Sequence, residues 1–370
     1  MRIDRRLITH FEWLLPVLAL AVSGIGVVTV YSATHGPATQ GLTPHAARQL
    51  MWLGGGVLAM LASLTFDYRR LERYAGLLYV LVLLAVLAVP IVGRMGGGSR
   101  RWIAVGPLSI QPSEFMKLGL VLVLARYFAR VPAGPLSLRA VLVATALTLV
   151  PAIPILAQPD LGTAIVLVII AMSMLLLAGL RLRWVAGVLV IAAVAAPLAG
   201  PVVWKHMKRH QQQRVLTFIN PEADPLGAGY HVAQSKIAVG SGMIWGKGFL
   251  NGTQNHLNFL PEQHTDFIFS VFAEEWGFVG GMALVALYLA LVMRGLVIAG
   301  RARDRFGFLL VLGVTSIVFW QAVVNVGMTT GLLPVVGIPL PLFSYGGSSL
   351  LCLLVGVGLA MNVSMRRYFF

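Results

Sequence analysis

Long apolar runs separated by short polar stretches dominate the chain. Ten runs are read as membrane-spanning helices: 14–32, 50–66, 75–93, 114–129, 138–157, 162–180, 184–203, 266–293, 307–330 and 345–364. The fourth is short and carries Glu114 and Lys117. Only the polar turn Gln158-Pro159-Asp160-Leu161 parts the fifth from the sixth. Pro16, Pro151 and Pro154 fall inside runs, where neighbouring helices can satisfy the freed carbonyls. Nothing reads as the strand series of a β-barrel. The pattern predicts an all-α, polytopic membrane protein with a single transmembrane domain, 1–370. One large extramembrane loop, 205–265, is too polar to span and too short for an ordinary independent domain.

Composition agrees. The 370 residues are 58% hydrophobic and 11% charged, with a mean hydropathy of +0.84. A formal charge of +15 would suggest nucleic acid in a soluble chain. Here the basic residues are short, scattered flanks of apolar runs, so the membrane and not nucleic acid is the expected partner. Arg2, Arg5 and Arg6 ahead of Leu14–Tyr31 resemble a signal peptide. That run is long enough to span and no clear small-residue cleavage site follows, so it is read as an uncleaved first span. If the N-terminus is cytoplasmic, seventeen arginines fall in inside segments. Outside the long loop, only Arg48, Arg94, Arg100 and Arg101 fall on the other side. The positive-inside rule then predicts that both termini are cytoplasmic and that 205–265 faces outward. A lone cysteine, Cys352, rules out an intramolecular disulfide.

Charged residues at the outer ends of the runs are the candidates for chemistry. Asp266 opens the eighth run, ahead of Phe267-Ile268-Phe269. One reading makes it an acidic helix-start residue, with Thr265 or His264 as cap. The other makes it a catalytic or ligand-binding carboxylate. Glu114 and Lys117 share a helix face and are expected to pair. Asp160, Arg48 and Arg101 fall on the same outer side. Two carboxylates among several cations suit an anionic, lipid-borne substrate, because arginine grips phosphate oxygens bidentately and lysine binds them as a point charge.

Other features weigh less. His231, His256 and His264 are too widely spaced for a zinc site. A Mg²⁺ or Mn²⁺ held by one carboxylate, Asp266, plus substrate phosphates stays open. Gly240 to Gly248 looks like a phosphate loop but fails the Walker pattern at Ser241 and Gly248. Residues 234–239 are expected to form a short interfacial helix. Glu274 and Glu275 are given a structural role, with the ninth run or the lipid interface as partners.

Several stretches carry a family resemblance. They are Arg101-Trp102, Gln111-Pro-Ser-Glu-Phe-Met-Lys117, Gln158-Pro-Asp-Leu-Gly-Thr163, Asp224-Pro-Leu-Gly-Ala-Gly-Tyr230, Pro261-Glu-Gln-His-Thr-Asp-Phe267 and Pro339-Leu-Pro-Leu-Phe-Ser-Tyr-Gly-Gly-Ser348. Spread over most of the chain, they resemble the SEDS family (shape, elongation, division and sporulation). Residues 234–242, 251–254 and 331–337 favour its rod-shape branch over the division branch. The resemblance implies a peptidoglycan glycosyltransferase of the bacterial cytoplasmic (inner) membrane, polymerising lipid II into β-1,4-linked strands during elongation. It implies Asp266 as the essential aspartate, Glu114 and Lys117 as a transmembrane pair, Asp160 as a second outward aspartate, and Arg101 as a cavity arginine. Arg48 matches by position alone. A class B penicillin-binding protein, supplying the transpeptidase, is the implied partner within the elongation machinery. The rival classes are a division-type polymerase, a lipid II flippase and a non-catalytic scaffold.

Overall fold

The computed structural model describes residues 12–36, 41–96, 99–106, 108–132, 134–187, 228–253 and 263–367, plus isolated positions between 190 and 212. In chain order the helices are α1 (Leu14–Thr34), α2 (Pro44–Ala62), α3 (Tyr68–Val92), α4 (Pro112–Arg130), α5 (Leu138–Ala157) and α6 (Leu161–Ala178). After these come α7 (Ala228–Ser241), α8 (Ile268–Gly300), α9 (Arg305–Thr329) and α10 (Gly347–Met365). Between α3 and α4 lies a small antiparallel sheet that the hydropathy pattern does not predict: β1 (Arg94–Gly96), β2 (Ser99–Val105) and β3 (Leu108–Ile110). Arg94 pairs with Trp102, and Ile103 with Ile110. Nine of the ten predicted spans coincide with these helices. The seventh, 184–203, lies mostly outside the described residues.

Helix starts follow local chemistry. Side-chain oxygens of Thr43, Asp67, Ser137, Asp160 and Asp304 accept backbone N–H groups in the first turns of α2, α3, α5, α6 and α9. Pro44 and Pro112 occupy first helical positions, where a missing N–H costs nothing.

Among the described residues, seven helices are long and apolar enough to cross a membrane. α4 falls short because Glu114, Lys117, Arg126 and Arg130 dilute it. Its position explains the tolerance: α4 packs against α3, α6, α9 and α10, so its side chains meet protein and not lipid. Its residues from Met116 to Ala125 are all buried.

α8 is broken. Gly277 has φ 65° and ψ −164°, outside helical space and in a region that favours glycine. The break frees the carbonyls of Glu274 and Glu275 and the N–H groups of Phe278 and Val279. The hairpin that follows α7 takes up all four. Lys247 N and Gly248 N donate to the Glu274 and Glu275 carbonyls at 3.0 Å each. Phe278 N and Val279 N donate to the carbonyls of Met243 and Ile244 at 2.8 and 3.1 Å. The stretch that imitates a phosphate loop is therefore a backbone plug. Glu274 clamps it, accepting from Lys247 Nζ at 2.6 Å and from Thr253 N at 2.9 Å. Glu275 accepts from Ser32 on α1. The hairpin and α1 thus supply partners for the two carboxylates, which are 0% and 1% exposed and so do not face lipid. α7 is longer than the expected 234–239 helix, and Ser235 is buried against Ser270 and the Thr329 carbonyl.

Arginine-bearing connections meet at one end of the bundle. Arg69 lies 3.8 Å from Asp304, Arg130 lies 3.5 Å from Glu72, and Arg305 donates to the Ala178 carbonyl at 3.3 Å. The starts of α2, α4, α6, α8 and α10 gather at the other end.

Candidate active site

Asp266 precedes its helix. α8 begins at Ile268, with Phe267 at its N-cap position and no cap from that side chain, so Asp266 stands just outside the helix and not in its first turn. Instead, three consecutive carbonyls fix the segment: His264 O accepts from Tyr345 N (2.9 Å), Thr265 O from Ser344 Oγ (2.7 Å) and Asp266 O from Asn325 Nδ2 (2.8 Å). Asn325 Nδ2 also reaches the Ile338 carbonyl at 2.7 Å, tying Asp266 to the 336–338 segment. Gly337 (φ 73°) faces the carboxylate, and a Cβ there would lie 3.3 Å from Asp266 Oδ2. The Asp266 side chain is half-buried.

Gly337 links the two aspartates. A Cβ on Gly162 would come within 2.9 Å of the Gly337 carbonyl, so the start of α6 packs on the other side of the same segment. Asp160 caps α6 through Thr163 N at 3.3 Å. Its Oδ2 accepts from Gln111 Nε2 (3.2 Å) and Ser113 Oγ (3.3 Å) at the start of α4. Arg101, on β2, donates to the carbonyls of Gln158 (3.3 Å) and Pro159, and its guanidinium lies 3.9 Å from Asp160 Oδ1. This arginine braces the α5–α6 turn and keeps 29% of its side chain exposed.

One turn into α4, Lys117 Nζ meets Glu114 Oε2 at 2.7 Å. The pair is sealed, with Lys117 only 1% exposed. Arg48 lies exposed in the first turns of α2. Its neighbour Gln49 holds the loop before α10, donating to Ser344 O (3.0 Å) and accepting from Gly346 N (3.2 Å). The rings of His45, His264 and Tyr345 cluster with centroids 4.8–5.5 Å apart, which holds the start of α2, where Arg48 lies, against the segment that leads to Asp266.

All six residues singled out in the sequence therefore converge on one end of the bundle. Sequence reasoning missed the uncharged members that hold them: Gln49, Gln111, Ser113 and Asn325. For the three amides the available signal was a lone amide inside or at the mouth of an apolar run; Ser113 carried none of its own. Among the described residues, no three His, Cys, Asp or Glu side chains gather as a metal cage.

These features define a multi-pass helical membrane protein with a charged site framed by helix starts. Residues 12–368 match a model of the cell cycle proteins FtsW, RodA and SpoVE, and the chain belongs to that family. It is similar to peptidoglycan glycosyltransferase MrdB of Escherichia coli K12, 44% identical over 323 residues, covering 86% of this chain and 85% of the relative. It is also similar to peptidoglycan glycosyltransferase RodA of Treponema pallidum, 33% identical over 97% of this chain and 99% of the relative. A solved chain of a peptidoglycan synthase complex that coordinates polymerization and crosslinking superposes with a TM-score of 0.82. It is 35% identical, covering 97% of this chain and 99% of that one.

Proposed function

We infer that this protein is a peptidoglycan glycosyltransferase that polymerises lipid II at the outer face of the bacterial cytoplasmic membrane. The observation that carries the reading is Asp266, half-buried and fixed by three carbonyl anchors amid the helix starts and cations. The names of the two relatives support the activity.

Joining an α-linked lipid pyrophosphate to a β-1,4 product inverts the anomeric carbon, so one displacement suffices. Asp266 takes the proton of the acceptor hydroxyl while that oxygen attacks the anomeric carbon from the face opposite the pyrophosphate. The bond from anomeric carbon to phosphate oxygen breaks, and the lipid pyrophosphate leaves with the electron pair. Arg48, exposed in the first turns of α2, and the exposed part of Arg101 are the cations for the departing charge. The starts of α4, α6 and α10 contribute N–H groups and the positive ends of their dipoles. Lys117 acts from beneath, neutralising Glu114 under the Gln111–Ser113–Asp160 network.

A single carboxylate fits a Mg²⁺ or Mn²⁺ held mainly by substrate phosphates, with Asp266 as the protein ligand. Such an ion would supply charge neutralisation for the pyrophosphate.

The rod-shape reading, with work in cell elongation, rests on residues 234–242, 251–254 and 331–337. A class B penicillin-binding protein as partner is supported by the relative's place in a polymerising and crosslinking complex. The arginine-rich end of the bundle is assigned to the cytoplasm, which puts both termini inside and Asp266 outside. The test is polymerisation of lipid II by purified protein, with and without the transpeptidase. Glycan chains are expected; lipid II translocation without polymer would favour a flippase.

A further inference from the structure

At the arginine-rich end, far from Asp266, a cavity of about 680 Å³ opens between the α2–α3 turn, the first turns of α3 and the end of α10. Four guanidinium groups line it: Arg69, Arg70, Arg73 and Arg366. Two are fixed in place. Arg366 donates to Asn362 Oδ1 (2.8 Å) and to the carbonyls of Phe66 (3.2 Å) and Leu64 (3.3 Å), and lies 3.9 Å from Asp67. Arg69 lies 3.8 Å from Asp304, with its guanidinium 5.8 Å from the Tyr68 ring centroid. Among the described residues, neither Arg70 nor Arg73 has an acidic partner. Four cations face two carboxylates, and the uncompensated two point the same way.

That direction matters. Arg70, Tyr74, Leu77, Leu81 and Leu84 repeat at spacings of three and four, and Arg73 is three from Arg70 and four from Leu77, so the six share one face of α3. The four apolar members are 51–57% exposed, and α3 is the least buried of the candidate spans. At Tyr74 the basic cavity thus opens onto an apolar stripe that runs about three turns along the helix, to Leu84. A soluble phosphate needs only the arginines; the stripe matches a ligand with chains attached. A zwitterionic headgroup brings its own cation against the arginines, whereas an anionic one does not.

We propose that this cavity binds the phosphate headgroup of an anionic phospholipid, with its acyl chains lying along Tyr74, Leu77, Leu81 and Leu84. Arg70 and Arg73 supply the charge, and Arg69 and Arg366 form the rigid wall. The site lies apart from the proposed glycosyl-transfer centre and does not depend on it.

Native mass spectrometry of the purified full chain, with phosphatidylglycerol or phosphatidylethanolamine added, tests this. Wild-type protein is expected to retain phosphatidylglycerol preferentially. The R70Q/R73Q variant should bind it roughly 30-fold more weakly, as two surface arginines are removed. R139Q/R183Q, an equal charge loss at exposed positions elsewhere, should not. Equal retention of the two lipids by wild type, or equal weakening in both double variants, overturns the proposal. Displacement of the lipid by millimolar inorganic phosphate also overturns it, in favour of a free-phosphate site. Leu81→Ser keeps every arginine and tests chain placement independently: long-chain phosphatidylglycerol should be retained less, and a short-chain analogue unchanged. Equal effects on both contradict the arrangement.

Discussion

Lys117→Ala isolates the energetics of the sealed pair. Lys117 Nζ lies 2.7 Å from Glu114 Oε2, with the residues 1% and 4% exposed. Removing the lysine strands a carboxylate where water cannot reach it. Breaking a buried pair in this way costs about 3–5 kcal/mol, because the desolvation penalty of the remaining charge is no longer offset. Replacing both partners with neutral groups of similar size, Glu114→Gln with Lys117→Met, removes penalty and attraction together. That double variant should return to within about 1–2 kcal/mol of wild type. Unfolding in detergent, followed by size-exclusion chromatography after graded heating, gives the stability order. Polymerisation of lipid II gives the activity order. Stability should run wild type, double variant, single variant, while activity stays depressed in both variants. A Lys117→Ala protein as stable as wild type would refute the sealed-pair argument. Full activity in the double variant would reduce the pair to a structural role.

Three further outcomes follow from the geometry. Asn325→Ala loses two hydrogen bonds to backbone carbonyls and should cost about 2–3 kcal/mol, with kcat falling more than KM rises because Asp266 loses its anchor. Gly277→Ala would put a Cβ 2.3 Å from Gly246 N at φ 65°; it should abolish the monodisperse peak that Gly54→Ala, with open space around it, retains. A cysteine in place of the exposed Asn251 should react with a membrane-impermeant reagent in intact spheroplasts, against a silent background because Cys352 is buried; labelling only after permeabilisation would reverse the orientation.

Hydropathy reads what faces lipid, and it placed the helices well on that account. It erred where a helix meets protein or the site. The second run was expected at 50–66, yet α2 starts at Pro44, because His45, Arg48 and Gln49 in its first turns serve the site end. The break at Gly277 left no trace, since Phe278 and Val279 continue the apolar run while the backbone turns aside. The three short strands around Arg101 offered too little alternation to register. Charged site residues stood out because a charge in an apolar run demands a reason. Asn325 and Gln49 did not, although each is fully buried and bonded to two carbonyls or to both faces of a loop. The partners of Glu274 and Glu275 were illegible because they come from a distant hairpin and from α1.

The central claim is that Asp266 performs the proton transfer. Asp266→Asn preserves shape and the backbone anchors at 264–266 while removing the base and the negative charge. Polymerisation of lipid II by the purified variant, with its transpeptidase partner, is the direct measurement. Normal expression and partner binding with a rate lowered roughly 100-fold or more is the predicted result. Polymer formed by the Asn variant at the wild-type rate would contradict the assignment and turn attention to Asp160.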